Sequence, residues 1–507
     1  MKKIFALFLA FLLIFSMTSC REEEQQTVEE KHIEISETEN YIRLPEGVSE
    51  EMLSADFWID LIPSETIIMA PKGISERMLS ENHQANLKAS EKIIMTPEEI
   101  SEFNSLNDKL LSWKNTSIAL KDFPETVITD AVRQFVVTPM PDDSLTYYID
   151  GKPVPEEYFE EIDKNRAIDK LNKREVSVRY GYSVKWSELR SYPTDDFCVT
   201  EQDDFFYDEF INSQCFPYCP LVVLHESLDR EWYYVMFEGF GGWVRTDAVA
   251  LCRSREDWLK RWENNEFLIV TGREIRLPHD EGCPGVSDLL LPMGTKLPLI
   301  KTEEAPEDIR MRTGYGCYTV LVPTRDKYGF IKDEYALVSS AEDVSVGFLP
   351  YTEENVIRLA FKLRGDRYGW GSSGFSNDCS GIVRQIYGCL GFTLPRTAGM
   401  QISCDGLETF DLSELSDEEK EKTIASLPLG SLLHFSGHIM LYIGTVNGDN
   451  YVISSTGAFA TTEMEPGTTR YVNTCCVNNL EKTKRQNGDT WLTGMTTAGA
   501  FRPVQSE

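Results

Sequence analysis

Tyr368-Gly-Trp-Gly-Ser-Ser-Gly-Phe-Ser-Asn-Asp378-Cys379-Ser-Gly-Ile-Val383 is the stretch on which the reading of this chain turns. A Gly/Ser-rich turn runs into Asp378-Cys379. Ile382, Val383, Ile386, Tyr387 and Leu390 then follow at helical spacing until Gly391. The pattern predicts a buried helix whose first turn carries Cys379. The unpaired N–H groups and positive dipole end of such a turn favour a thiolate. A thiol nucleophile needs a base. Two of the six histidines lie C-terminal to it, His434 and His438, in Ser431-Leu-Leu-His-Phe-Ser-Gly-His438-Ile-Met-Leu-Tyr-Ile-Gly444. A cysteine at a helix start with a histidine on a strand is an arrangement for nucleophilic catalysis. His434 is read as a half-buried strand residue, because a Ser-Gly turn separates it from His438. Cys389 and Cys404 lack a helix-start context and read as packing thiols.

Tyr368-Gly-Trp-Gly, Asp378-Cys-Ser-Gly381, Leu394-Pro-Arg396, Pro428-Leu-Gly430 and Gly437-His-Ile-Met-Leu-Tyr-Ile-Gly444 together resemble the NlpC/p60 family of cell-wall cysteine peptidases, in the family's order and at its spacings. The likeness covers roughly the last third of the chain. It implies a papain-like α+β catalytic domain over residues 346–507, with Cys379 as nucleophile and His438 as base. It also implies that Tyr368 lies beside the oxyanion hole, that Asp378 contacts a free substrate amine, and that Ser380 touches substrate. Asp378 also has the simpler role of an N-cap. The third catalytic position departs from the family, which usually places a histidine there. Tyr451-Val-Ile-Ser454-Ser455 puts Ser454 at that point, an uncharged and shorter orienter that Ser455 or water would have to assist. Two outcomes stay open: a slower enzyme, or a protein that has lost peptidase activity.

Within the catalytic region, Thr352 is placed to N-cap a helix with Val356, Leu359, Ala360 and Leu363 on one face. Strands are predicted at 432–435, 438–443 and 451–455, and near 499–502. Helix on a small antiparallel sheet makes this α+β.

Length and charge bound the rest. At 507 residues the chain holds several domains, and 41% hydrophobic content supports folded cores. A net charge of −32 argues against nucleic-acid binding and against attachment to anionic lipid by charge alone. Twelve cysteines scattered over the chain form no evident disulfide framework.

Residues 1–20 read as a signal segment. Lys2 and Lys3 precede an apolar run too short for the roughly twenty residues of a bilayer span, and Ser-Met-Thr-Ser-Cys20 follows. The end of this segment resembles a bacterial lipoprotein signal, which would make Cys20 the lipidated N-terminus and place the protein at the cell envelope, membrane-anchored and extracytoplasmic. Residues 21–45 are Glu-rich and read as a solvated tether.

Residues 46–170 are read as a mainly helical N-terminal unit. It contains an echo, Glu65–Ser75 against Glu91–Ser101, identical at seven of eleven positions, and it resembles the stabilising clip ahead of SH3-like domains in some family members. His32 and His83 read as surface histidines.

Residues 171–252 turn to short aromatic and β-branched runs. Ser227 to Val235 with Gly241-Gly-Trp243-Val resembles the distal half of a bacterial SH3-like barrel. Residues 253–345, after an amphipathic connector at 254–264, read as a second such barrel. Cys215-Phe-Pro-Tyr-Cys219 with His225 is open to two readings, metal ligands at loose spacing or buried thiols. Trp232, Tyr233, Tyr234 and Trp243 either line a groove or fill the barrel core.

The resemblance implies hydrolysis of the bond between D-γ-glutamate and the following diamino acid in peptidoglycan stem peptides. SH3-like domains would narrow the site toward fragments with a free N-terminal L-Ala. Neither metal nor organic cofactor is expected. The alternatives are a non-catalytic wall-binding lipoprotein and an N-acetylmuramoyl-L-alanine amidase.

Overall fold

The computed structural model describes residues 44–49, 51–62, 92–111, 119–137, 142, 144–237, 240–461, 464–465 and 467–503. All belong to one unit spanning Thr38–Glu507. The expected signal segment with Cys20, most of the tether, both His32 and His83, and most of the internal echo lie outside the described residues. Among those that are described, no helix is long and apolar enough to cross a membrane.

The C-terminal region is α+β. Six antiparallel strands run in the order Leu407–Asp411, Thr497–Phe501, Leu432–Phe435, His438–Val446, Asp449–Phe459, Arg470–Asn479. The helix Cys379–Gly388 packs on His438–Val446 and Asp449–Phe459, and Glu353–Lys362 packs on that helix. Thr352 caps the latter, its Oγ1 accepting the Asn355 N–H at 3.1 Å. The strands at 432–435, 438–446, 449–459 and 497–501 follow the predicted pattern. The strands Leu407–Asp411 and Arg470–Asn479 were not anticipated: both half-exposed edges are polar and carry little alternation to read. The acidic stretch between them and the core holds a helix, Asp417–Ala425, closed by a Ser416–Glu419 capping box.

Upstream, a seven-stranded sheet has the order Val249–Leu251, Arg179–Ser183, Pro220–Glu226, Trp232–Phe237, Phe240–Arg245, Ser187–Arg190, Ile211–Cys215. The four rings Trp232, Tyr233, Tyr234 and Trp243 are all buried in its two apolar clusters. They are core, and the groove reading is set aside. The predicted connector is the helix Arg255–Trp262, capped by Ser254. A second all-β unit follows, with a five-stranded sheet in the order Ile331–Ser339, Cys317–Arg325, Lys296–Ile300, Phe267–Val270, Val344–Val346.

The helices of the N-terminal stretch bury their apolar sides on the units that follow. Ala55–Ile59 inserts Trp58 against Tyr451 (ring centroids 5.2 Å) and over Gly444, where a Cβ would stand 3.0 Å from the indole. Pro97–Leu111 sets Phe103 against Phe392 and Phe501. Thr129–Val136 packs on the seven-stranded sheet, the Tyr234 hydroxyl donating to the Phe135 carbonyl at 2.6 Å. Glu156–Asn165 adds Ile162 to a cluster with Tyr192, Cys198 and Phe210. Such a strap has little core of its own and is stabilised by the surfaces it covers.

Candidate active site

The Cys379 helix begins where the sequence predicts. Asp378 is extended and caps it, its carboxylate accepting the Gly381 N–H at 2.8 Å. The turn before it is tight. Gly371 has φ +61°, and a Cβ there would collide with Ile211 of the seven-stranded sheet, so only glycine permits this approach.

Cys379 is buried, 8% exposed. The backbone N–H groups of Ile439 and Ser380 point at its sulfur. Ile439 follows His438, so the thiol sits at the start of the strand that carries the imidazole. Burial is the main cause that pushes the thiol up to about 12, with the Asp378 charge adding to it. His438 is also buried, and its Nε2 lies 3.1 Å from Ser454 Oγ. Burial lowers its pKa to about 4, His434 acts in the same direction, and Asp378 opposes. The resting site therefore holds a neutral thiol and a neutral imidazole. Phe435 and Trp491 flank the imidazole at 5.5 and 5.3 Å between ring centroids.

Ser455 does not assist the imidazole. Its hydroxyl donates to the Asn377 carbonyl at 2.8 Å, fixing the turn before the nucleophile. As a neighbour of Ser454 on one strand, it points to the opposite face. His434 is half-buried on the strand Leu432–Phe435, and its Nδ1 has no hydrogen-bond partner among the described residues.

Arg396 is the residue of this centre whose role was not legible in the sequence. It is buried and forms a fork on Asp378, Nη1 to Oδ1 at 3.1 Å and Nη2 to Oδ2 at 2.5 Å. Its Nη1 also donates to Ser380 Oγ at 2.9 Å, and its Nε donates to Ser213 Oγ at 2.9 Å. Ser380 in turn donates to Asp378 Oδ1 at 3.1 Å. Helix cap, buried ion pair and seven-stranded sheet are thus one network. From the same sheet's side comes Tyr207, whose ring lies 6.0 Å from buried Tyr368 and 5.8 Å from Trp370. Gly457 leaves room for the Tyr207 hydroxyl. The loop carrying Tyr207 is tied down by Asp208, which takes the N–H groups of Cys198 and Phe210 and pairs with buried Arg190 at 2.9 Å.

Among the described residues no cluster of three or more His, Cys, Asp or Glu side chains could hold a metal, and all their cysteines are free. Cys215 is a buried strand thiol, and His225 Nε2 is engaged by the Arg166 carbonyl at 2.9 Å. Cys389 and Cys404 are buried, with thiols pushed up to about 12 by burial.

Residues 365–488 match the NlpC/P60 family, and residues 198–245 match an SH3 domain of the SH3b1 type. A gamma-D-glutamyl-L-lysine dipeptidyl-peptidase of Bacillus cereus (strain ATCC 10987 / NRS 248) is 23% identical over 236 residues, which span 45% of this chain and 60% of that protein. An NlpC/P60 endopeptidase from Photobacterium damselae subsp. piscicida shares the fold over 87% of this chain and all of its own, with a TM-score of 0.62 at 16% identity. An NlpC/P60 family protein from Bacillus cereus ATCC 10987 aligns over 64% of this chain and all of its own, with a TM-score of 0.44 at 17% identity. The chain thus carries an NlpC/P60 catalytic domain and one SH3-like domain.

Proposed function

We propose that this protein is a cysteine endopeptidase that hydrolyses the D-γ-glutamyl–diamino acid bond of peptidoglycan stem peptides and favours fragments with a free N-terminal L-Ala. The observation that carries the reading is the junction of Cys379 and the His438 strand beside the buried Asp378–Arg396 pair. Cys379 Sγ attacks the γ-carbonyl. His438 Nε2 lies against the Ser454 hydroxyl, and we assign the tautomer in which Nε2 donates to it. Nδ1 is left to take the thiol proton and return it to the leaving amine. The Cys379 N–H at the helix start faces the developing oxyanion, with Tyr368 beside it. Asp378, paired with Arg396, receives the substrate amine with Ser380 nearby. Tyr207, set against Tyr368 and Trp370, is proposed to close that end of the site, a placement that favours a free amine over an attached sugar and so the peptidase over the amidase. The second all-β unit is proposed as a further SH3-like copy and the N-terminal strap as the stabilising clip. A lipid on Cys20 would hold the enzyme at the outer face of the membrane.

The test is incubation of residues 21–507 with L-Ala-γ-D-Glu-diaminopimelate and with purified peptidoglycan, products identified by mass spectrometry. Release of L-Ala-D-Glu from the free peptide is expected, with little from intact wall. Absence of cleavage with retained wall binding would favour the non-catalytic reading, which the neutral Ser454 contact motivates. Ser454→His is the companion variant. A stronger orienter is expected to raise kcat about tenfold, within the range for such positioning groups, and an unchanged or lower kcat would show that serine suffices.

The pH profile follows from burial of the pair. His438 must be unprotonated to act as base, and its lowered pKa keeps it so until about pH 4. The acid limb of kcat/KM, which reports the free enzyme, should therefore fall near pH 4 and not near 6.5. Ionisation of Cys379, near 12, lies beyond the working range. An acid limb close to 6.5 in a protein still folded by near-UV circular dichroism would contradict this picture.

A further inference from the structure

Beyond the base, past the Phe435 ring, lies a cation that the mechanism does not use. Arg485 opens a tight turn, its carbonyl accepting the Gly488 N–H at 3.0 Å and its N–H donating to the Asp489 carbonyl at 2.8 Å. Its guanidinium lies 4.9 Å over the Phe435 ring, the ring that neighbours the His438 imidazole at 5.5 Å. Gly494 makes this path possible: a Cβ there would stand 2.8 Å from Arg485 Cδ and 3.0 Å from Nη1. The side chain is half-buried. Among the described residues its guanidinium meets no carboxylate and no side-chain acceptor. Arginine side chains held on aromatic faces are pre-organised for bidentate recognition of carboxylate.

We propose that Arg485 binds the side-chain carboxylate of the diamino acid on the leaving side of the scissile bond, so that the enzyme prefers diaminopimelate to lysine at that position. This rests on the peptidase reading above. With the substrate N-terminus at Asp378 and Tyr207, the chain runs past Cys379, and the leaving amine stands at His438. The residue bearing that amine then extends along Phe435 toward Arg485. Diaminopimelate presents a carboxylate at the end of its side chain; lysine ends in an amine alone, which the guanidinium repels.

The test compares kcat/KM for L-Ala-γ-D-Glu-meso-diaminopimelate and L-Ala-γ-D-Glu-L-lysine, with wild type, Arg485→Gln and Arg485→Lys. The wild type is expected to favour the diaminopimelate peptide about 10- to 100-fold, the value of a charge-assisted bidentate contact. Arg485→Gln should lose most of that preference while cleaving the lysine peptide within about twofold of wild type, and Arg485→Lys should fall between. Equal wild-type values for both peptides, or a Gln variant that loses both in the same proportion, would overturn the assignment. If the wild type cuts and binds neither peptide, the peptidase reading fails along with it. Cleavage of both at equal rates sinks the Arg485 proposal alone.

Discussion

Cys379→Ala should reduce release of L-Ala-D-Glu by at least about 10⁴-fold, to the level left by binding and oxyanion contacts alone. The nucleophile is proposed to be the sulfur itself, and nothing nearby replaces it. Of the other thiols in this region, Cys389 is engaged with the Val270 carbonyl at 3.4 Å, and Cys476, across the sheet from Ser454, is engaged with Asn478 Oδ1 at 3.2 Å. The fold should survive. Alanine is a strong helix former at the first turn. Asp378 keeps its cap on Gly381, and loss of one buried sulfur costs on the order of 1 kcal/mol. Peptide affinity, read by calorimetry, should change little, since the proposed amine contacts sit on Asp378 and Ser380. Substantial residual turnover by this variant would remove Cys379 from the mechanism and leave the turn around it as architecture.

The sequence was most legible where one pattern does one job. Helical spacing after Cys379, the Thr352 cap and the apolar runs at 432–435 and 438–443 each specify local structure, and the structure follows them. What stayed hidden depends on residues far apart in the chain. Arg396 stands in a quoted motif, yet its role appears only when Asp378, Ser380 and Ser213 converge on it, the last from another domain. Tyr207 sits in a loop of mixed acidic and aromatic residues without periodicity, and its place beside Tyr368 is set by the packing of two domains. Ser455 illustrates the limit of strand reading: one position from Ser454, it faces the other way. In the described residues of the N-terminal stretch, the helical pattern alone does not say that apolar sides are spent on later domains.

Arg396→Met should lower the melting temperature of the catalytic domain by roughly 6–20 °C. This converts a loss of about 3–5 kcal/mol, typical of breaking a buried ion pair by removing one partner. The reasoning is one of uncompensated charge. Asp378 and Arg396 are 7% and 6% exposed. Without the guanidinium the carboxylate keeps only the Gly381 N–H and the Ser380 hydroxyl, which do not repay its desolvation. Methionine fills most of the arginine stem's volume, so the loss is electrostatic more than steric. The double variant Arg396→Met/Asp378→Asn isolates that cause. Asparagine still caps the helix and carries no charge, so the double variant should recover most of the lost stability while remaining inactive toward free-amine substrates. If Arg396→Met shifts melting by less than about 2 °C, the pair is not a structural brace. If the double variant is no better than the single one, the penalty comes from the lost Ser213 contact between domains. Arg396 would then matter as a bolt to the SH3-like domain, independent of Asp378.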